Sequence, residues 1–200
     1  MATYRAIAAV SQAIVDLLEG RYNPADFDGN QLQFRVYLAN DFISQPMDAG
    51  VSLLLYRIYT NNTVRSPAGR VRPDGQRQRA QLPLDLHFLI TAWAKDASLQ
   101  HTIAGWMMRV LEDTPILPTG LLNRRYAGVF SPDETVELGL TDLTTEELFR
   151  IWEVIANNVY QISVPYIARV VKIESDYVQS VGRPIQERAF DLAVPNNLTS

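Results

Sequence analysis

The sequence contains no cysteine, so it offers no disulfide, no thiolate nucleophile and no thiolate-bound metal. That usage fits a reducing compartment. No apolar run reaches the roughly 20 residues that span a bilayer. Residues 1–20 carry Asp16 and Glu19 inside an amphipathic pattern, where a signal peptide would carry an unbroken apolar core. The expectation is synthesis and folding in a cytoplasm. Without a secretion signal, the glycan-acceptor patterns Asn61-Asn62-Thr63 and Asn197-Leu198-Thr199 carry no weight. Strong charge of one sign is also lacking: a net charge of -4 gives no global pull towards nucleic acid or an anionic membrane. The chain has no G-x-S-x-G, no phosphate-binding glycine loop and no H-E-x-x-H. These absences point away from an enzyme.

What is present belongs to an ordinary globular chain. Hydrophobic residues make up 47% and charged residues 20% of 200 residues, enough for one domain with a sizeable core and an extension. Ile7, Val10, Ile14, Leu17 and Leu18 form a helical stripe closed by Gly20. Leu32, Phe34, Val36 and Leu38 alternate with Gln33, Arg35 and Tyr37, predicting a strand whose second set faces water. A second strand is predicted over 51–59. The run Leu82-Pro83-Leu84-Asp85-Leu86-His87-Phe88-Leu89-Ile90-Thr91-Ala92-Trp93 is long and apolar, as strands buried on both faces are. Leu99, Ile103, Trp106, Val110 and Leu111 mark a second helix, with Asp96 or Ser98 as its cap. Thr144-Thr145-Glu146-Glu147 is a capping box opening a third, with stripe Leu148, Ile151, Trp152, Ile155 and Val159. A last strand is predicted over 162–173, where Pro165 marks a sheet edge or the strand's beginning. The fold class is therefore α/β or α+β: one mixed β-sheet packed by about three helices.

Two segments stand apart from that core. Residues 61–81 hold Arg65, Arg70, Arg72, Arg77 and Arg79 against the single acid Asp74. Pro67, Gly69, Pro73 and Gly75 read there as breakers of regular structure, giving a long basic loop. Residues 176–200 lack helical periodicity and are broken by Gly182, Pro184 and Pro195, so they read as an extended C-terminal arm beyond a domain of residues 1–175. Ile185, Phe190, Leu192 and Val194 are its candidate anchors, and Phe190 and Leu192 share a face of an extended strand.

Candidate chemistry is weak beside plainer readings. Asp85, His87 and His101 are conceivable metal ligands, but nothing in the pattern shows the three-fold convergence that a catalytic zinc needs. Asp133, Glu134 and Glu137 read as a solvated turn before a strand more readily than as an acid–base pair. Ser44, Ser52 and Ser163 have no evident base partner as nucleophiles. The five loop arginines suit phosphates or an acidic protein surface. A basic-loop nucleic-acid-binding module is thus the alternative function, though the loop has no aromatics to stack bases.

Several spaced segments carry a family resemblance. They are Val51-Ser52-Leu53-Leu54-Leu55-Tyr56-Arg57-Ile58 with Asn61 and Arg65, the 82–94 run, and Gly105-Trp106-Met107-Met108-Arg109-Val110-Leu111 with Pro115-Ile116-Leu117. Glu146-Glu147-Leu148-Phe149-Arg150-Ile151-Trp152 and Tyr160-Gln161-Ile162-Ser163-Val164-Pro165-Tyr166 complete the order. Over residues 3–175 the chain resembles the cap, or tail-terminator, proteins of extracellular contractile injection systems of the antifeeding-prophage type. The resemblance implies a structural protein with no enzymatic activity and no cofactor. It implies a homo-hexameric ring that closes a phage-tail-like particle and contacts the inner tube protein and the sheath protein. No nucleic acid and no direct membrane contact are expected. It also implies assembly in a bacterial cytoplasm, followed by residence at the end of the particle remote from the baseplate. The arginines would meet a neighbouring ring or tube surface, and the C-terminal arm would add a strand to the sheath.

Overall fold

The 82–94 run organises the molecule. In the computed structural model it becomes β5 (Leu82–Trp93), buried almost continuously from Leu86 onwards. The structure describes residues 2–65, 80–156 and 159–175, and the backbone of 70–71, 77–78 and 178–179. β5 lies inside a six-stranded sheet of order β1-β2-β5-β8-β7-β6, with β1 Gln33–Tyr37, β2 Gly50–Thr60, β6 Ile116–Leu117, β7 Val136–Leu140 and β8 Ser163–Ile173. β1 and β2 run parallel and every other pair antiparallel, so the sheet is mixed. Pro165 is the third residue of the centrally placed β8, and its carbonyl accepts from Thr141 just beyond the end of β7. The missing proline N–H therefore falls at the strand's beginning, one of the two places expected for it.

Helices cover both faces. On one face α1 (Ala6–Arg21) and α3 (Ala97–Glu112) bury Val10, Ile14, Leu18, Ile103, Met107 and Leu111 against Leu53, Phe88 and Ile90. α1 runs through Gly20 to Arg21. Asp96 caps α3, its carboxylate accepting from the Leu99 amide at 2.9 Å. On the other face α2 (Asp41–Ser44) and α5 (Thr145–Ile155) close a smaller aromatic core of Tyr37, Phe42, Trp93 and Trp152. Phe42 meets Trp152 edge-on, with ring centroids 5.3 Å apart. The Thr144 capping box forms as expected, and its donors hold the Glu147 carboxyl below the usual carboxylate range. A further short helix, α4 (Thr119–Leu122), follows β6.

Two expectations are corrected. Strand β1 does not keep one wet face: Leu32 and Phe34 pack into the larger core, but Tyr37 is buried on the opposite face while Val36 and Leu38 are exposed. Because the sheet is covered on both sides, alternation alone could not say which set of β1 side chains is inside. The arginine-rich loop is not free of regular structure either. It holds β3 (Arg70–Val71) and β4 (Arg77–Gln78), paired antiparallel, and β4 pairs in turn with β9 (Val178–Gln179). Pro73 and Gly75, between the two strands, read as breakers, yet proline and glycine also favour the reversal of a hairpin. Val178 and Gln179 thus join a second, three-stranded sheet.

Candidate assembly surfaces

The arginines are placed unevenly. Arg65 is exposed, while Arg70 and Arg77 sit on β3 and β4, in register with Gln78 and Val71. Arg72 and Arg79 lie outside the described residues, as do Ile185, Phe190, Leu192 and Val194. The structure therefore brings Arg70 and Arg77 onto one hairpin.

The conceivable metal ligands serve other purposes. β5 and β8 shift register between Leu84 and Leu86, and Asp85 sits at that bulge. Its carboxylate accepts from the Asn61 side chain at 3.0 Å and from the Val170 amide at 2.9 Å. Val170 holds a left-handed φ of 56°, a strained conformation for a β-branched residue, so Asp85 acts as the clamp of a bulge. His87 stacks edge-on between Tyr56 and Tyr59, and burial, then the Arg57 charge, hold its pKa below the ordinary value. His101 is exposed on α3. Among the described residues no three His, Cys, Asp or Glu side chains converge.

The serines are likewise structural. Ser52 is fully buried and accepts from the Trp93 indole at 2.8 Å, and Ser163 pairs with Thr91 at 2.9 Å. Ser44 donates to the Asn40 carbonyl. Asp133 and Glu134 line a polar cavity of about 410 Å³ with Gln81, Lys172 and Glu174, and Glu137 lies 3.5 Å from Arg169 on the surface.

The surface that sequence reasoning missed lies at the outer margin of the sheet. β2 is 11 residues long, yet β1 pairs only with Gly50–Leu54. Where β1 ends, an apolar groove of about 680 Å³ opens between Val36 and Leu38, Leu54 on β2, and Ile151, Val154 and Ile155 on α5. Leu38 is 74% and Val154 85% exposed. Isolated exposed apolar side chains need no explanation, but a lined groove at a strand edge that no described residue covers has the form of a recognition surface. Neither Val36 nor Leu38 announced it, because both had been assigned inward by alternation.

A family model described as the Pvc16 N-terminal domain matches residues 9–187. The chain belongs to that family. The match begins within α1 and takes in every later described strand and helix and all five arginines, leaving Phe190, Leu192 and Val194 beyond it. Two solved structures resemble this member of the Pvc16 N-terminal family. One is the sheath/tube terminator of an extracellular contractile injection system, PVC, in the extended state: TM-score 0.60, 18% identity, covering 96% of this chain and 65% of that one. The other is the tube-terminating cap of the anti-feeding prophage: TM-score 0.54, 18% identity, covering 90% of this chain and 59% of that one. The chain thus spans less than two thirds of the length of either. No curated protein matches it.

Proposed function

We propose that this protein is a structural subunit that forms a homo-hexameric ring closing the tube and sheath of a phage-tail-like contractile injection particle. The observation that carries this is the pair of terminator structures, covering 96% and 90% of this chain. Physics supports the role. A stacked tube leaves an unsatisfied heterologous surface at its growing end, and a subunit complementary on one face only can stop its growth. The ring is made in the bacterial cytoplasm, stands at the end remote from the baseplate, and works without catalysis or cofactor. Inner tube protein and sheath protein are its partners, with Ile185, Phe190, Leu192 and Val194 as anchors of a sheath-binding arm. Purified protein is expected to show the mass of a hexamer by light scattering, alone or with tube protein. A monomer both in solution and in assembled particles would overturn the ring.

The arginine-bearing segment meets an acidic neighbour in this reading. Changing Arg65, Arg70, Arg72, Arg77 and Arg79 together to glutamate is expected to slow incorporation into particles about tenfold at low salt and less at high salt. The thermal melt should stay near that of the unaltered protein. Unchanged incorporation would show that these side chains are merely solvated.

A further inference from the structure

The end of the sheet from which residues 61–81 leave is held by two small polar clusters on neighbouring strands. β2 carries an extra residue between Leu55 and Arg57, and beyond it Arg57 stands in register with His87 of β5. The half-buried His87 ring meets two tyrosines edge-on, its centroid 6.0 Å from that of Tyr56 and 5.2 Å from that of Tyr59. The Arg57 guanidinium lies over the same Tyr59 ring, 3.9 Å from its centroid, as a cation–π contact. Two residues back along β5 and in register with Tyr59, Asp85 accepts from the Asn61 side chain and from the amide of the strained Val170. One tyrosine ring is therefore shared by a permanent cation, Arg57, and a conditional one, His87.

We infer that His87, Arg57 and Tyr59 form an acid-sensitive latch, which closes this end of the sheet when the imidazole is neutral and loosens it when the imidazole is charged. Like charges on directly opposite residues of an antiparallel pair are destabilising, and a second cation competes with Arg57 for the Tyr59 ring. The surroundings offset little of this. On β2 the groups that face His87 are Tyr56, Tyr59 and Arg57 itself. On β5 Asp85 attracts the imidazolium, but its carboxylate already accepts from Asn61 and Val170. On β8 Ile167 is in register with His87, and Arg169, two residues on, is turned to Glu137 of β7 at 3.5 Å. From α5 Glu147 acts on Arg57, yet its carboxylate is the reciprocal half of the Thr144 capping box. Burial and the Arg57 charge outweigh Asp85, so the folded chain holds the His87 pKa below its ordinary value. A depressed folded-state value contributes stability above the unfolded value of about 6.5, lost as pH falls through the folded one. Any pull of the charged ring on Asp85 works in the same direction, because that carboxylate also holds Val170 in its left-handed conformation.

Acid is thus expected to open the rungs from Arg57 to Thr60 while leaving those from Val51 to Leu54, which lie under the helices, closed. The arginine-bearing segment begins where β2 ends, so its hold on the sheet becomes dependent on pH. The test is amide hydrogen exchange at residues 57–60 and 85–87 in the full chain, in His87→Phe and in Arg57→Gln, compared at about pH 7.5 and about pH 5. With the intrinsic pH dependence of exchange divided out, the unaltered protein should open at least about threefold more in acid at low salt. The excess should shrink at about 1 M salt, because Arg57 is exposed. It should vanish in His87→Phe and fall by at least about half in Arg57→Gln. No excess in the unaltered protein, or the same excess in His87→Phe, would overturn the inference. So would an excess that spreads equally to residues 51–54, since that is acid unfolding of the whole sheet. If His87→Phe fails to fold, His87→Gln takes its place. Failure here leaves the ring untouched, because ring formation is read by mass and this latch by amide exchange.

Discussion

Replacing Gly50 by alanine is expected to lower the Tm by about 10 °C or more, the largest effect of any single small substitution in the sheet. Gly50 opens β2 opposite Gln33, at the first rung of the parallel β1–β2 pair. Its φ of 149° lies where L-residues are essentially not found. A Cβ built there would stand 2.1 Å from the Gln33 carbonyl oxygen and 2.7 Å from its nitrogen. The obstruction is backbone, so no side-chain rotation relieves it. Either β1 moves away or the β2 start unwinds, and the Tyr37–Phe42–Trp93 packing depends on both. Gly139→Ala on β7 is the control. A Cβ there meets nothing within 4 Å, and the change should stay within about 0.5 kcal/mol. Scanning calorimetry of both variants checks the pair. A Gly50→Ala protein that melts like the original would show that β1 is not held against β2 in this parallel register.

The parallel β1–β2 pair also marks the limit of what the sequence discloses. The caps and most of the helical stripes were legible because their signals are local: Asp96 and Thr144 cap where the side-chain chemistry says, and Val10, Ile14 and Leu18 face inward, whereas Val159, expected on the third stripe, falls beyond the end of α5 and is exposed. β5 was legible because continuous apolar character has one meaning in a sheet covered on both sides. The two faces of β1 were not. Tyr37 is buried by Phe42, on the short helix that follows β1, and by Trp93, from a strand far along the chain, and no alternation within 32–38 encodes either contact. The hairpin of β3 and β4 was obscured because glycine and proline signal both a break and a turn. Its third strand, β9, arrives from a hundred residues further on. The candidate surfaces divide in the same way. The arginines and the arm could be singled out by composition, whereas the groove beside Leu38 exists only because β1 stops five rungs along an 11-residue partner.

Asp16 shows how far a wet-looking residue can be from water, and it sets up the second large effect. In the amphipathic pattern of α1 it reads as a surface acid, yet it is 3% exposed. Arg125, from the segment after α4, donates through Nε to both carboxylate oxygens at 3.0 and 3.1 Å and through a terminal nitrogen at 2.8 Å. Gln12 adds a bond of 2.9 Å. Burial pushes the Asp16 carboxyl up, but the Arg125 and Gln12 hydrogen bonds and the arginine charge outweigh it, and the net shift is downward. A folded-state value below the unfolded one contributes stability above the unfolded pKa of about 4, lost as pH falls through the folded value. Arg125→Ala reverses the sign. Burial, the largest single cause, is then opposed only by the Gln12 hydrogen bond and the Arg124 charge, the folded value is expected to rise above the unfolded one, and the variant should lose stability as pH climbs through that raised value. The Tm of Arg125→Ala is therefore expected to lie at least about 5 °C below that of the original protein at about pH 7. The gap should close towards about pH 3, where the carboxyl is protonated in the variant and in both unfolded chains. Adding Asp16→Asn to Arg125→Ala should recover much of the neutral-pH loss, because an amide leaves no unpaired charge behind. Calorimetry across that pH range reads all three proteins. A gap of constant size would mean that Arg125 contributes packing only, and that the charge of Asp16 has another partner.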